Sequence, residues 1–206
     1  LAQIMEGLRF IAIIPLFRNL ILLCYATMLF LGAYQQLMPA FADLLGAGPK
    51  GFGLLMSASG IGSIAGTVVS GAIKPGVLYG KYMLGAAALA VVMLSAFAVS
   101  TMLPSYFLAL LFVLLAAACM SVFLIFSATA LQAEVPGELR GRVLGIHGIT
   151  YSLMPLGALL IGALAEVYGT PQAMLMGLAG YTFIWLGMGS SVSIKQLEQP
   201  RGSAEL

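Results

Sequence analysis

Charge is scarce in this sequence, and its scarcity excludes most soluble folds. Of the 206 residues, only 8% are charged and 61% are hydrophobic, and the mean hydropathy is +1.06. A soluble domain carries roughly 25% charged residues. The net charge of +2 is small, and the basic residues lie in short loops instead of the stripe or groove that binds nucleic acid. The composition therefore indicates a membrane protein that does not bind nucleic acid.

Side chains that carry out chemistry are equally rare. The chain has one histidine and two cysteines, and both Cys24 and Cys119 lie in apolar runs, where a thiol behaves as a small hydrophobe. It contains no HExxH or GxSxG sequence. The acids all lie outside the apolar runs, at Glu6, Asp43, Glu134, Glu138, Glu166, Glu198 and Glu205. We therefore expect no enzyme, no cofactor, no metal site and no disulfide scaffold.

What the sequence does contain is a series of apolar runs of membrane-spanning length. About 20 residues, each rising 1.5 Å along a helix, cross a hydrocarbon core of roughly 30 Å. The sequence predicts an all-α membrane protein with a bundle at 19–192, an interfacial helix at 1–18 and a tail at 193–206. The six predicted spans are at about 19–38, 52–73, 82–101, 106–129, 143–165 and 173–192.

Basic residues predict the orientation of these spans. If the amino terminus is cytoplasmic, helices that alternate in direction place eight of the nine basic residues on the cytoplasmic side and only Lys50 outside. This distribution is what the positive-inside rule predicts. The densest charge cluster begins at Glu134, and Pro136 and Glu138 suit the first turn of the helix after it. We expect both termini to be cytoplasmic.

Small residues recur in the second and fifth runs. Gly66 and Gly71 end the second run, and Gly157 and Gly162 end the fifth, so each pair is five residues apart. This echo predicts two inverted repeats of three helices. The residues four apart in the second run, Ala58, Gly62, Gly66 and Ser70, predict a smooth stripe for close helix contact. The alternative is that glycine is simply common in membrane helices.

Two segments resemble the major facilitator superfamily of transporters. EVPGELRGRVLG and LMPLGALLIGALAEVYG are similar to the loop and eleventh helix of its bacterial exporter branch, which includes enterobactin-exporter-like and macrolide-efflux-like proteins. EGLRFI and Phe52–Leu55 resemble the approach to helix seven and the start of helix eight. The loop signature of the family is matched only loosely after the second run, where Pro75 stands near the place of an aspartate.

The resemblance implies helices seven to twelve of a twelve-helix carrier in a bacterial plasma (inner) membrane. The chain does not begin with methionine, and we expect it to be a fragment whose partner is the N-terminal six-helix half of the same carrier. The implied function is export of a drug, macrolide or siderophore by alternating access, with proton coupling through the other half. We expect Gly62, Gly66 and Gly71 to contact that half, and Arg140 and Arg142 to take part in gating.

Weakly polar residues mark the candidate substrate cavity. Those on the first run share one face at 100° per residue, and the resembled family lines its cavity with this helix and the fourth. The candidates are Thr27, Tyr34, Gln35, Ser121 and Gln132. The alternative is that such side chains join neighbouring helices. His147 is the one titratable candidate within a run, either a proton carrier or a neutral imidazole near the interface.

A different class of function stays open at this point. An accessory or structural membrane subunit needs no site and no transport activity, so the composition suits it equally well. A continuous upstream reading frame with further spans would favour the carrier, whereas a start codon just before Leu1 would favour the subunit or a six-helix carrier that dimerises.

Overall fold

Nearly all of the chain that the structure describes is helical. The computed structural model describes residues 2–73, 79–103 and 105–189, and these contain no strand. The predicted tail at 193–206 and the last residues of the sixth predicted span lie outside these ranges.

Nine α-helices occur in succession within these ranges. A π-helical turn, Thr27–Leu31, lies between the second and third helices, and a 3-10 turn, Ile149–Ser152, lies between the seventh and eighth. The α-helices are α1 (Ala2–Ile13), α2 (Pro15–Ala26), α3 (Tyr34–Leu44), α4 (Gly48–Ala72), α5 (Tyr79–Met102), α6 (Tyr106–Glu134), α7 (Gly137–Gly148), α8 (Leu153–Tyr168) and α9 (Thr170–Gly189).

Five helical stretches in the described ranges are long and apolar enough to cross a membrane, which agrees with the first five predicted runs. The sixth predicted span falls on α9, a helix of 20 residues that is not among them. Its start, Thr170-Pro171-Gln172, is polar and lowers its mean hydropathy. The sixth crossing therefore stays a prediction. The five stretches are Pro15–Leu44, Gly48–Ala72, Tyr79–Met102, Tyr106–Glu134 and Gly137–Tyr168.

The first and fifth spans are interrupted, which the apolar runs did not predict. In the first span the amide of Gly32 donates to the carbonyl of Thr27 at 3.0 Å, a bond one residue wider than that of an α-helix. In the fifth span Pro155 lies in the first turn of α8. A proline ring clashes with the carbonyl four residues earlier in a continuous α-helix. The carbonyl four residues before Pro155 belongs to Tyr151, which lies in the tighter 3-10 turn Ile149–Ser152.

Glycine permits two sharp reversals between spans. Gly46, between α3 and α4, has a φ of +63°, Gly48, the first residue of α4, has a φ of +58°, and Gly169, between α8 and α9, has a φ of +87°. These left-handed conformations are strained for residues with a β-carbon. The reversals fall in two of the short links that the sequence predicts. The charged link also begins a helix as expected, with Glu138 in the first turn of α7. Pro136 lies at the N-cap, one residue before the predicted first turn.

Helix α6 is the centre of one half of the bundle. Helices α4 and α5 both pack along it and make little contact with each other. A β-carbon on Gly62 would overlap the carbonyl oxygen of Leu114, and one on Gly66 would overlap that of Ala118. The stripe therefore provides close helix contact, as predicted. We expected its partner to lie in the N-terminal six-helix half of a carrier. That expectation is wrong for Gly62 and Gly66. The stripe is covered by α6 of the same chain.

A second glycine contact of the same kind joins α8 to the first span. A β-carbon on Gly157 of α8 would overlap the carbonyl oxygen of Leu29, in the π-helical turn of the first span. Helix α9 packs on α8, α5 and the same turn. The fifth span thus packs through glycine on the first span, as the second span does on the fourth.

Helix α1 packs against α7. A β-carbon on Gly7 would lie 3.2 Å from both the β-carbon of Arg142 and the Cδ1 of Ile146. The chain turns at Ile14 before Pro15 begins α2, and Phe10 stacks on Phe17 across that turn with ring centroids 5.1 Å apart. The first helix is thereby fixed to the charged end of α7.

Gly66 and Gly71 of α4 have opposite surroundings, so substitutions at these two positions test this packing. We expect Gly66→Ala to lower the free energy of unfolding by about 1–3 kcal/mol, because the new methyl group must displace the backbone of α6. Gly71→Ala should leave stability unchanged or slightly raised, since nothing lies within 4 Å of its β-carbon position. Thermal unfolding of the purified variants in detergent, followed by circular dichroism, measures both. Equal stabilities would contradict the assignment of α6 as the partner.

Candidate functional site

Thr27 is held entirely inside the bundle. Its side chain is fully buried, and its hydroxyl donates to the carbonyl of Leu23 at 2.8 Å. The hydroxyl of Tyr181 lies 2.9 Å from the same oxygen. Because a threonine hydroxyl has one proton, and Leu23 accepts it, Tyr181 must donate to Thr27. The contact joins the first span to α9.

Tyr34 joins the first span to α4. Its hydroxyl lies 2.9 Å from the hydroxyl of Ser59, and both side chains are buried. Gln35 is only half-buried, and its amide donates to the Tyr34 hydroxyl at 3.4 Å. Of the predicted cavity residues on this span, Gln35 is the one with surface left for another molecule.

His147 is buried between helices. Its Nε2 lies 3.3 Å from the hydroxyl of Ser127 on α6, and that hydroxyl also donates to the carbonyl of Leu124 at 2.9 Å. The serine oxygen therefore accepts from the imidazole, which assigns the proton to Nε2. The thiol of Cys24 contacts the same serine. Side chains of α2, α6 and α7 meet at this point.

The remaining predicted residues do not converge on Thr27 and Tyr34. Ser121 is half-buried at the α4–α6 contact, where its β-carbon lies 2.9 Å from the position of a β-carbon on Gly66. Gln132 is exposed near the end of α6. Arg140 and Arg142 lie on α7, and the β-carbon of Arg142 contacts α1. Gly71 is exposed, with open space around it.

The carboxylates of the described spans lie near helix ends, and Glu6 lies within α1, outside these spans. Asp43 is the penultimate residue of α3, Glu134 ends α6, Glu138 is the second residue of α7, and Glu166 lies near the end of α8. No group of three or more potential metal ligands occurs in this part of the chain. The middle of each described span is thus without a carboxylate.

Residues 1–200 match the family described as transmembrane secretion effector, an alignment that covers almost the whole chain. The chain belongs to this family. No curated protein and no solved structure matches it significantly. Transmembrane secretion effectors are transporters of the major facilitator type, so the chain is a multi-pass membrane protein of that type. The resemblance to the superfamily is confirmed at this level, and the exporter branch stays a prediction.

Sequence reasoning missed three partner residues in this secretion effector. Ser59, Ser127 and Tyr181 complete the polar contacts described above. Each belongs to a different helix from its partner, so no spacing along one helix could identify it. Pairing of polar residues between runs was the only available signal, and it leaves many combinations.

The Thr27–Tyr181 contact can be tested by substitution, with Gln35→Ala as the control. We expect Thr27→Val to lower the free energy of unfolding by about 1 kcal/mol, because it leaves the buried Tyr181 hydroxyl without its acceptor. Tyr181→Phe should cost a similar amount, and the double variant should cost less than the two together, while Gln35→Ala should have little effect. Unfolding of the four variants in detergent gives the coupling. Additive effects of Thr27→Val and Tyr181→Phe would contradict the contact.

Proposed function

We propose that the chain is the C-terminal half of a secondary active transporter that exports small amphipathic molecules by alternating access. A drug, a macrolide or a siderophore has the required chemistry. The observation that supports this proposal most strongly is the match of residues 1–200 to the transmembrane secretion effector family. The N-terminal six-helix half would supply the other wall of the substrate cavity, and the two halves would rock against each other.

The first span and α6 are proposed to face this cavity. Gln35 on the first span is half-buried and Gln132 on α6 is exposed, so both have surface to offer a substrate. Thr27 and Tyr34 bond to α9 and α4, and we assign them the role of fixing the first span beside the cavity. Apolar side chains would supply most of the contact area for an amphipathic molecule.

Proton coupling is proposed to depend on residues outside this chain. The acids of the described spans lie near helix ends, where water can reach them. His147 is the titratable residue of α7 with a buried polar contact, and its ring donates to Ser127, which is not acidic. A proton carrier within a membrane normally pairs with another ionisable group or a water-filled path. We therefore assign His147 a packing role.

Transport by the separated half tests the proposal directly. Proteoliposomes that contain only residues 1–206 should not accumulate an amphipathic dye, whereas a protein with six further spans before Leu1 should do so when a proton gradient is imposed. In that protein, Gln35→Ala should raise the dye concentration for half-maximal transport severalfold, with Thr67→Ala, an exposed α4 position, as the control. Dye transport by residues 1–206 alone would refute the half-carrier proposal. Absence of transport from the longer protein would favour the accessory subunit.

The proposed orientation places both termini and the α6–α7 link in the cytoplasm of a bacterial cell, in the inner membrane. Single cysteines at Lys50 and Glu138, both exposed, should then differ in their reaction with a membrane-impermeant maleimide. We expect labelling of Lys50→Cys in intact cells, and labelling of Glu138→Cys only after the membrane is permeabilised. The reverse pattern would invert the topology, and labelling of both in intact cells would contradict a single orientation.

A further inference from the structure

A groove runs between α4 and α5, with α6 as its floor. The two walls touch each other little, and both pack on α6, so a space of about 680 Å³ lies between them. Val69 of α4 and Leu89 of α5 are exposed on its walls, and the small side chain of Ala118 lies on its α6 floor. The lining is apolar except near the start of α5.

The polar end of the groove is basic. Lys81, the third residue of α5, is exposed there and is the charged residue of the groove lining, which contains no acid among the described residues. The amino terminus of a helix also attracts anions, because its free N–H groups point outward. Tyr82 lies beside Lys81 and stacks on Phe126, with ring centroids 5.5 Å apart. A lysine and a fixed tyrosine are the residues typical of the headgroup region of a membrane.

The dimensions favour a thin apolar occupant. A helix with side chains is about 10–12 Å wide and rises 5.4 Å per turn, so the groove would hold roughly one and a half turns of it. A helix that lay along the groove for several turns would exceed this volume. A neighbouring helix could therefore insert its side chains but not its body. A lipid acyl chain is narrow enough to lie along the groove, and it is the solvent of any apolar surface in a bilayer.

We propose that this groove binds an anionic glycerophospholipid, with an acyl chain along Val69, Gly85 and Leu89 and the headgroup phosphate at Lys81. Acyl chains gain little by moving from bilayer to groove, because both are apolar. Selectivity must therefore come from the headgroup. One lysine near a membrane surface should favour an anionic over a zwitterionic lipid about fivefold, which corresponds to about 1 kcal/mol.

Two substitutions separate the headgroup contact from the groove. Lys81→Ala should remove the preference for anionic lipid but retain binding of the acyl chain. Gly85→Leu should fill the groove and weaken binding of both lipid classes, and the fold should tolerate it, because nothing lies within 4 Å of its β-carbon position. The matched controls are Lys50→Ala, an exposed lysine that is likewise the third residue of its helix, and Gly60→Leu, an exposed α4 position that also has open space.

Native mass spectrometry of the purified membrane protein, titrated with phosphatidylglycerol or with phosphatidylcholine of the same acyl chains, measures both effects. We expect binding of phosphatidylglycerol to be tighter by about fivefold, a preference lost in Lys81→Ala and retained in both controls. Equal affinity for the two lipids, or an equal loss in Lys50→Ala, would overturn the headgroup assignment. Unchanged binding in Gly85→Leu would overturn the groove as the site. Cross-linking of a cysteine at Gly85 to another protein helix would overturn the lipid proposal and show that a protein helix occupies the groove.

Discussion

Close contact between helix backbones is the constraint on which this bundle depends. Lipid tails are as apolar as leucine, so burial of apolar side chains does not drive helices together inside a bilayer. The interactions that can hold helices together there are dense packing and hydrogen bonding. Gly62 and Gly66 meet the carbonyl oxygens of α6, and Gly157 meets the carbonyl oxygen of Leu29. Even one methyl group at these positions would separate the helices, and the dispersion contacts around them would be lost together.

Hydroxyl contacts add angular definition to this packing. The glycine contacts join α4 to α6 and α8 to the first span, whereas the hydroxyl contacts join other pairs of helices. The Tyr34–Ser59 contact fixes α3 against α4, and the Thr27–Tyr181 contact fixes the first span against α9. Such bonds average only about 0.6 kcal/mol in membrane proteins. Their effect here is therefore on the orientation of helices more than on total stability.

The sequence predicted what depends on residue type along one helix, and it failed where a distant segment decides the outcome. Run length and hydropathy identified five spans, and the four-residue spacing of Gly62 and Gly66 identified a contact face. Neither signal contains the identity of the facing helix, so α6 could not be foreseen. The polar face of the first span failed for a local reason. Its prediction assumed 100° per residue throughout, but the π-helical turn at Thr27–Leu31 inserts an extra residue and rotates the rest of the span. Thr27 and Tyr34 consequently contact different helices.

The glycine contact between the first and fifth spans also bears on how the protein is made. The first span meets its glycine partner on α8, and that partner is synthesised more than a hundred residues after Leu29. At about 5–20 residues per second, the ribosome needs on the order of ten seconds to reach it. During that interval the π-helical turn and the glycine face of α4 are present in a nascent chain, and the turn has yet to meet its partner. The first span therefore lacks this glycine contact until α8 has been made, which makes the order of synthesis part of how this fold is reached.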